Sequence, residues 1–109
     1  MSTRRFWTPE WDGSDLGLAG WLKSFTDAPV IAVGSVGLDV DVMATLEGEE
    51  ARPTGDSRIE DLIRRFRRGD FDLVSVGRSQ IGDPDWVAKV REDRIGDIRP
   101  FRRADIAFL

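Results

Sequence analysis

Two short apolar runs that each end in a glycine turn constrain the fold of this chain most. Residues 30–33 read VIAV and stop at Gly34, and residues 71–76 read FDLVSV and stop at Gly77. Short continuous runs rich in β-branched residues are typical of strands that are buried on both faces of a parallel sheet. We therefore expect two buried strands that lie side by side and run parallel.

Helical periodicity fills the segments around these two runs. Two stretches repeat apolar residues at i, i+3 and i+4, and a third has an apolar side of Trp86, Val87 and Val90. All three predict amphipathic helices, and a short helix is expected around Met43. The order helix, strand, helix, strand, helix favours an α/β fold in which a helix connects the parallel strands. Each long stretch follows a polar residue suited to cap a helix. The predicted caps are Ser14 or Asp15, Ser57 with Glu60 as a capping box, and Asp83 followed by Pro84.

The composition excludes several kinds of chemistry. The 109 residues include no cysteine, histidine or tyrosine, so a disulfide, a thiolate metal site and a histidine base are all excluded within them. The net charge of −4 gives no reason to expect nucleic acid as a partner. The N-terminus does not read as a signal peptide and no apolar run is long enough to span a membrane, so we expect a cytoplasmic protein without a membrane partner.

Four arginines crowd the end of the second predicted helix. Arg64, Arg65, Arg67 and Arg68 come just before Gly69, which is a plausible C-terminal cap. One interpretation is a patch that binds a polyanion. The other is a solvated helix face whose cations suit the negative end of the helix dipole, and the acidic composition of the chain favours it.

The carboxyl ends of the two predicted strands carry the candidate binding residues. Gly34 and Ser35 follow the first strand, and Gly77 and Arg78 follow the second. Ligands of α/β folds bind at this edge, where glycine lets backbone N–H groups approach an anion and a guanidinium can hold two phosphate oxygens. These residues indicate a phosphate site. The alternative is that the glycines serve only the turns and that Arg78 pairs with an acid such as Asp83 or Asp85.

The segments PVIAVGSVGLD and RGDFDLVSVGRSQIGDPDWVAKV resemble the last third of the Old Yellow Enzyme family of FMN-dependent oxidoreductases. In that family the seventh strand of a (β/α)₈ TIM barrel reads like PVIAVG, and the eighth reads like DLVxxGRxxxxDPxW. The resemblance extends over nearly the whole chain. It implies that residues 1–109 form a single partial TIM-barrel domain, about strands seven and eight with their flanking helices, that carries the FMN-phosphate site.

The resemblance also implies a role for each candidate residue. Gly34 and Ser35 would donate backbone N–H groups to the FMN phosphate, and Gly77 and Arg78 would do the same, with the Arg78 side chain as a charged clamp. In the complete enzyme, FMN would take hydride from NAD(P)H and pass it to an activated alkene such as an enone. Four neighbours are expected to touch the flavin or its ribityl chain: Val33, Val36, Val76 and Gln80.

The residues that the family uses for catalysis have no counterpart here. Its histidine pair and tyrosine lie on earlier strands, so no catalytic residue and no metal ligand is expected in this chain. A full barrel needs roughly 250 residues, and this chain begins after strand six and resembles the short form without a cysteine-bound cluster. We expect a complementary N-terminal barrel portion as a partner and an isolated chain that is catalytically inactive. A stand-alone FMN-binding α/β module and a non-catalytic fragment are the alternatives.

Overall fold

The computed structural model describes residues 3–108, and in that range it contains five α-helices, two β-strands and two 3-10 helices. No helix among these residues is long and apolar enough to cross a membrane. In chain order the elements are α1 (Leu18–Lys23), β1 (Ile31–Ala32), α2 (Val42–Leu46), α3 (Asp56–Arg68), β2 (Leu73–Val74), α4 (Arg78–Gly82) and α5 (Trp86–Arg91), followed by the 3-10 helices Ile95–Asp97 and Arg103–Phe108.

The two strands lie side by side and run parallel, as their sequence pattern predicts. Ile31 pairs with Leu73, and Ala32 pairs with Val74. The N–H group of Ser75 donates to the carbonyl oxygen of Ala32 at 2.8 Å, which continues the pairing past the end of β2. Because the strands are parallel, their carboxyl ends meet at one edge of the sheet, and the two glycine turns begin there.

One face of the sheet is exposed, so the prediction that both faces are buried is wrong. Ile31 and Leu73 are 46% and 56% exposed, whereas Val30 and Ala32 are almost fully buried together with Phe71. The buried face packs on apolar side chains of α1 and α3. The two helices cover the same side of the sheet, which explains why the apolar run is buried on one face only.

Two helices begin at other residues than the predicted caps. Helix α1 begins after Gly17 and has no side-chain cap, whereas the hydroxyl of Ser14 accepts a hydrogen bond from the N–H group of Leu16 outside the helix. Helix α3 begins after Gly55, so Ser57 lies inside the first turn and forms no capping box. Helices form at both predicted apolar stretches, but part of each stretch is exposed: Phe25 lies beyond α1 and is 79% exposed, and Ile63 and Phe66 of α3 are 42% and 51% exposed. In each case the polar residue expected to cap the helix lies elsewhere.

Helix α4 was not predicted, and it changes the role of Asp83. This aspartate is the C-cap residue of α4 and is 1% exposed. Its carboxylate accepts hydrogen bonds from Lys89 Nζ at 2.6 Å and from the N–H groups of Asp85 and Arg99 at 3.1 and 3.0 Å. Burial opposes its ionisation, but these three hydrogen bonds outweigh burial and hold the pKa of Asp83 below its usual value. The helix that was expected to begin at Asp83 is α5, and it begins after Asp85.

The C-terminal segment packs back onto the loop between α2 and α3. Phe101 is 1% exposed and exchanges two backbone hydrogen bonds with Ala51, at 2.8 and 2.9 Å. Together with Leu38 these residues form a separate hydrophobic cluster. This cluster fixes the long segment between β1 and α3, which includes α2, against the rest of the molecule.

Candidate anion-binding site

The four residues predicted from the strand ends line one cavity. Gly34, Ser35, Gly77 and Arg78 enclose a volume of about 210 Å³ at the carboxyl ends of β1 and β2. The parallel pairing explains this arrangement, because it brings the ends of both strands to the same edge. The cavity wall is completed by Thr3, Arg4, Val33, Val36, Leu38 and Ser75. That the four residues bind a cofactor stays a prediction.

The turn after β1 forms part of the wall of this cavity. Gly34 and Ser35 have φ values of 140° and 49°, which bend the chain sharply at the end of the strand. Within residues 3–108, neither their N–H groups nor those of Gly77 and Arg78 donate a hydrogen bond. Backbone N–H groups normally have acceptors, and a bend of this kind arranges successive N–H groups around an anion.

The guanidinium of Arg78 is held in place by neutral acceptors. Its Nη1 donates to Thr45 Oγ1 at 2.8 Å, and its Nη2 donates to the Val40 carbonyl oxygen at 3.0 Å and to Ser35 Oγ at 3.1 Å. These contacts join the turn after β1 to the start of α4. They leave Nε and one N–H group of Nη1 without an acceptor among the described residues.

Arg78 has no ion-pair partner in the part of the chain that the structure describes, so the alternative in which it pairs with Asp83 is wrong. Asp83 pairs with Lys89 instead. Burial, partly offset by the negative charge of Asp41, lowers the pKa of Arg78. An arginine nevertheless stays protonated in proteins, so the wall of the cavity carries a positive charge that no carboxylate neutralises directly.

Arg4 is a second cation at the cavity, and the sequence analysis missed it. Its side chain is exposed and forms no ion pair within residues 3–108. Its carbonyl oxygen accepts a hydrogen bond from Ser35 Oγ at 2.7 Å, which ties the N-terminal segment to the turn after β1. This contact links residues 31 positions apart in the chain, so no local pattern predicts it.

The four neighbours expected at the flavin fall into two groups. Val33 and Val36 line the same cavity, whereas Val76 and Gln80 line an adjacent cavity of about 620 Å³ that shares Gly77 with the first. Pockets for small molecules usually measure about 300–1,000 Å³. The cavity of about 210 Å³ thus suits a group the size of a phosphate rather than a whole flavin nucleotide.

The arginines at the end of α3 are mostly committed to carboxylates. Arg64 and Arg65 pair with Asp61 at 2.6 and 3.2 Å, and Arg68 pairs with Asp15 at 2.8 Å. Arg65 is only 5% exposed. The expectation of a solvated helix face is therefore wrong for Arg65, whose guanidinium is part of the folded structure.

No family model matches the chain, and no solved structure matches it. Within residues 3–108, no group of three or more acidic, histidine or cysteine side chains is suited to hold a metal ion. The fold and the cavity define a small α/β unit of two parallel strands with a candidate anion site at their carboxyl edge.

Proposed function

We propose that this chain is the FMN-phosphate-binding part of an FMN-dependent oxidoreductase that uses NAD(P)H to reduce activated alkenes such as enones. The observation that supports the proposal best is the meeting of Gly34, Ser35, Gly77 and Arg78 at one cavity. Their N–H groups have no acceptor among the described residues, and the guanidinium beside them has no carboxylate. Backbone N–H groups together with an arginine are the donors that phosphate prefers in proteins.

The chain's own residues fit the phosphate end of the cofactor. The N–H groups at Ser35 and Gly77 come from two different turns, so they would hold a phosphate from two directions. Arg78 would add a positive charge. It would also add its Nε and one N–H group of Nη1, which have no acceptor among the described residues. Arg4, at the exposed side of the cavity, adds a second positive charge. A phosphate dianion is attracted more strongly by two guanidinium groups without a direct carboxylate partner than by one.

Catalysis by this chain requires a complementary N-terminal barrel portion. A bound flavin would supply hydride transfer between NAD(P)H and the alkene. The protein must also enclose the flavin ring and position the substrate, and the 210 Å³ cavity accommodates neither. The exposed sheet face with Leu73 at its centre supports the need for a partner, because an apolar sheet surface open to water favours association.

The site is tested by comparing FMN with riboflavin, which lacks the phosphate. Titration of the isotope-labelled chain, followed by NMR, should shift the amide signals of Ser35 and Gly77 with FMN and leave them unchanged with riboflavin. Arg78→Ala should weaken FMN binding by at least about tenfold, since a hydrogen bond to a charged group contributes about 1.5–3 kcal/mol. Arg67→Ala removes the same charge at an exposed position on α3 and should have no effect. Equal binding of FMN and riboflavin would refute the proposal.

Activity separates the proposal from its two alternatives. The isolated chain with FMN, NADPH and cyclohexenone should not oxidise NADPH, whereas co-expression with a six-strand N-terminal barrel portion should give a yellow complex that does. One-to-one binding of FMN by a monomeric chain, together with no response to the barrel portion, would favour a stand-alone binding module. A chain that only aggregates and binds nothing would favour a non-catalytic fragment.

A further inference from the structure

Helix α2 contributes one buried polar group, and that group contacts Arg78. Thr45 is 2% exposed, and its Oγ1 accepts the hydrogen bond from Arg78 Nη1 at 2.8 Å. The same hydroxyl donates to the carbonyl oxygen of Asp41 at 3.3 Å. Because the hydroxyl proton is used toward Asp41, a lone pair of Oγ1 is directed to the guanidinium.

Polar contacts hold this helix in addition to the hydrophobic cluster of Leu38, Ala51 and Phe101 that fixes the segment around it. The carboxylate of Asp41 caps α2 by accepting hydrogen bonds from the N–H groups of Met43 and Ala44 at 3.0 and 3.1 Å. It also lies 3.7 Å from the guanidinium of Arg5. Met43 and Leu46 are 47% and 51% exposed, whereas Thr45, the residue that holds Arg78, is almost fully buried.

We propose that Thr45 is a positioning residue of the anion site and acts through Arg78. This inference rests on the proposed function, since it takes Arg78 as a ligand of the phosphate. A free arginine side chain loses rotamer freedom when it binds an anion, and that loss weakens binding. Thr45 fixes the guanidinium at the cavity wall before the anion arrives, so the loss has already occurred during folding.

Two variants of Thr45 separate the hydroxyl from the shape of the side chain. Thr45→Val keeps the volume and removes the acceptor, whereas Thr45→Ser keeps the hydroxyl. FMN titrations that follow the amide signals of Ser35 and Gly77 should show binding weakened roughly threefold to tenfold in Thr45→Val, the range expected for one hydrogen bond. Thr45→Ser should bind within about twofold of the native chain. A general loss of structure would lower the thermal midpoint and affect both variants.

A double-mutant cycle with Arg78→Ala shows whether Thr45 acts through the arginine. In that background Thr45→Val should cause no further loss of FMN affinity. An equal loss in both backgrounds, or no loss in either, would overturn the inference. If the native chain prefers FMN to riboflavin and only Arg78→Ala abolishes that preference, the proposed function stands and the role of Thr45 fails.

The ligand-free chain provides a readout that does not depend on FMN. Side-chain ¹⁵N signals of Arg78 should show slow rotation of the guanidinium in the native chain and in Thr45→Ser. Rotation should be faster in Thr45→Val, where only the Nη2 contacts to Val40 and Ser35 remain. If FMN and riboflavin bind alike, the proposed function fails, and these signals still decide whether Thr45 fixes the arginine. Identical signals in the native chain and Thr45→Val would overturn the positioning role.

Discussion

The molecule has two groups of arginines that differ in what surrounds them. At the end of α3, Arg64, Arg65 and Arg68 lie within ion-pair distance of carboxylates, whereas at the cavity Arg4 and Arg78 have none among the described residues. The arginines of the first group lie close together in the sequence, whereas Arg4 and Arg78 lie far apart in it. The density of cations along a chain therefore does not indicate which arginines lack a carboxylate partner, because that depends on acidic neighbours in space.

The carboxylates explain why the two groups should behave differently. Asp61 lies one turn before Arg64 and Arg65 on α3, and the spacing alone favours their ion pairs. Asp15 reaches Arg68 from the loop before α1. The α3 arginines should therefore matter for stability, and those at the cavity should matter for ligand binding.

The largest expected effect is that of Arg65→Ala on stability. The guanidinium of Arg65 donates to Asp61 and to the carbonyl oxygens of Asp15 and Trp7, at distances of 2.8–3.3 Å. Removing one partner of a buried charged network costs about 3–5 kcal/mol, because the groups left behind lose their hydrogen bonds. Urea unfolding should show this loss. The exposed Arg67→Ala should change the free energy of unfolding by less than about 0.5 kcal/mol, and equal effects would remove the distinction between the two.

Two glycines, one in each region, give the next largest effect. Gly34 at the cavity and Gly69 at the end of α3 both have positive φ, at 140° and 90°. A Cβ on Gly34 would lie 2.5 Å from the carbonyl oxygen of Thr3, whereas a Cβ on Gly69 would meet nothing within 4 Å. Gly69→Ala should cost about 1 kcal/mol and Gly34→Ala about 2–3 kcal/mol, since only the second adds a clash to the backbone strain. Equal losses in thermal unfolding would contradict the close packing at the cavity.

The two regions also show what a single sequence can predict. The parallel pairing and helix α3 follow from β-branched runs and helical periodicity, which are local patterns. The burial of Arg65 and the contact of Thr45 with Arg78 depend on segments up to 58 residues apart, and no local pattern encodes them. The cap at Ser57 was wrong because a Ser-x-x-Glu pattern fits equally well inside a first turn. The meeting of Gly34, Ser35, Gly77 and Arg78 at one cavity could be predicted because parallel strands bring their ends together, whereas Arg4 belongs to no strand.

A smaller effect on the free energy of unfolding is expected at acidic pH. Burial raises the pKa of Asp61, but hydrogen bonds and charge from Arg64 and Arg65 outweigh burial and hold that pKa below its usual value. A lowered folded-state pKa stabilises the protein above the unfolded pKa of about 3.9, and this stability is lost as the pH falls through the folded-state value. The free energy of unfolding should therefore decrease below about pH 4. Asp61→Asn should make this decrease shallower, and an unchanged pH profile would contradict the pairing.

The smallest expected effect is that of Arg4→Ala, and it tests the role of the arginines at the cavity. The substitution keeps the carbonyl oxygen that accepts from Ser35 Oγ, so the fold and the thermal midpoint should not change. An exposed charge contributes about 0–1 kcal/mol to an ion pair, so FMN affinity should fall by at most about fivefold. Because salt screens exposed charges most, added salt should weaken FMN binding less in Arg4→Ala than in the native chain. Arg67→Ala serves as the control, since it removes an exposed charge at a distance from the cavity. If Arg67→Ala reduces affinity and salt dependence as much as Arg4→Ala does, the binding reflects net charge alone, and the contrast between the two arginine groups is lost.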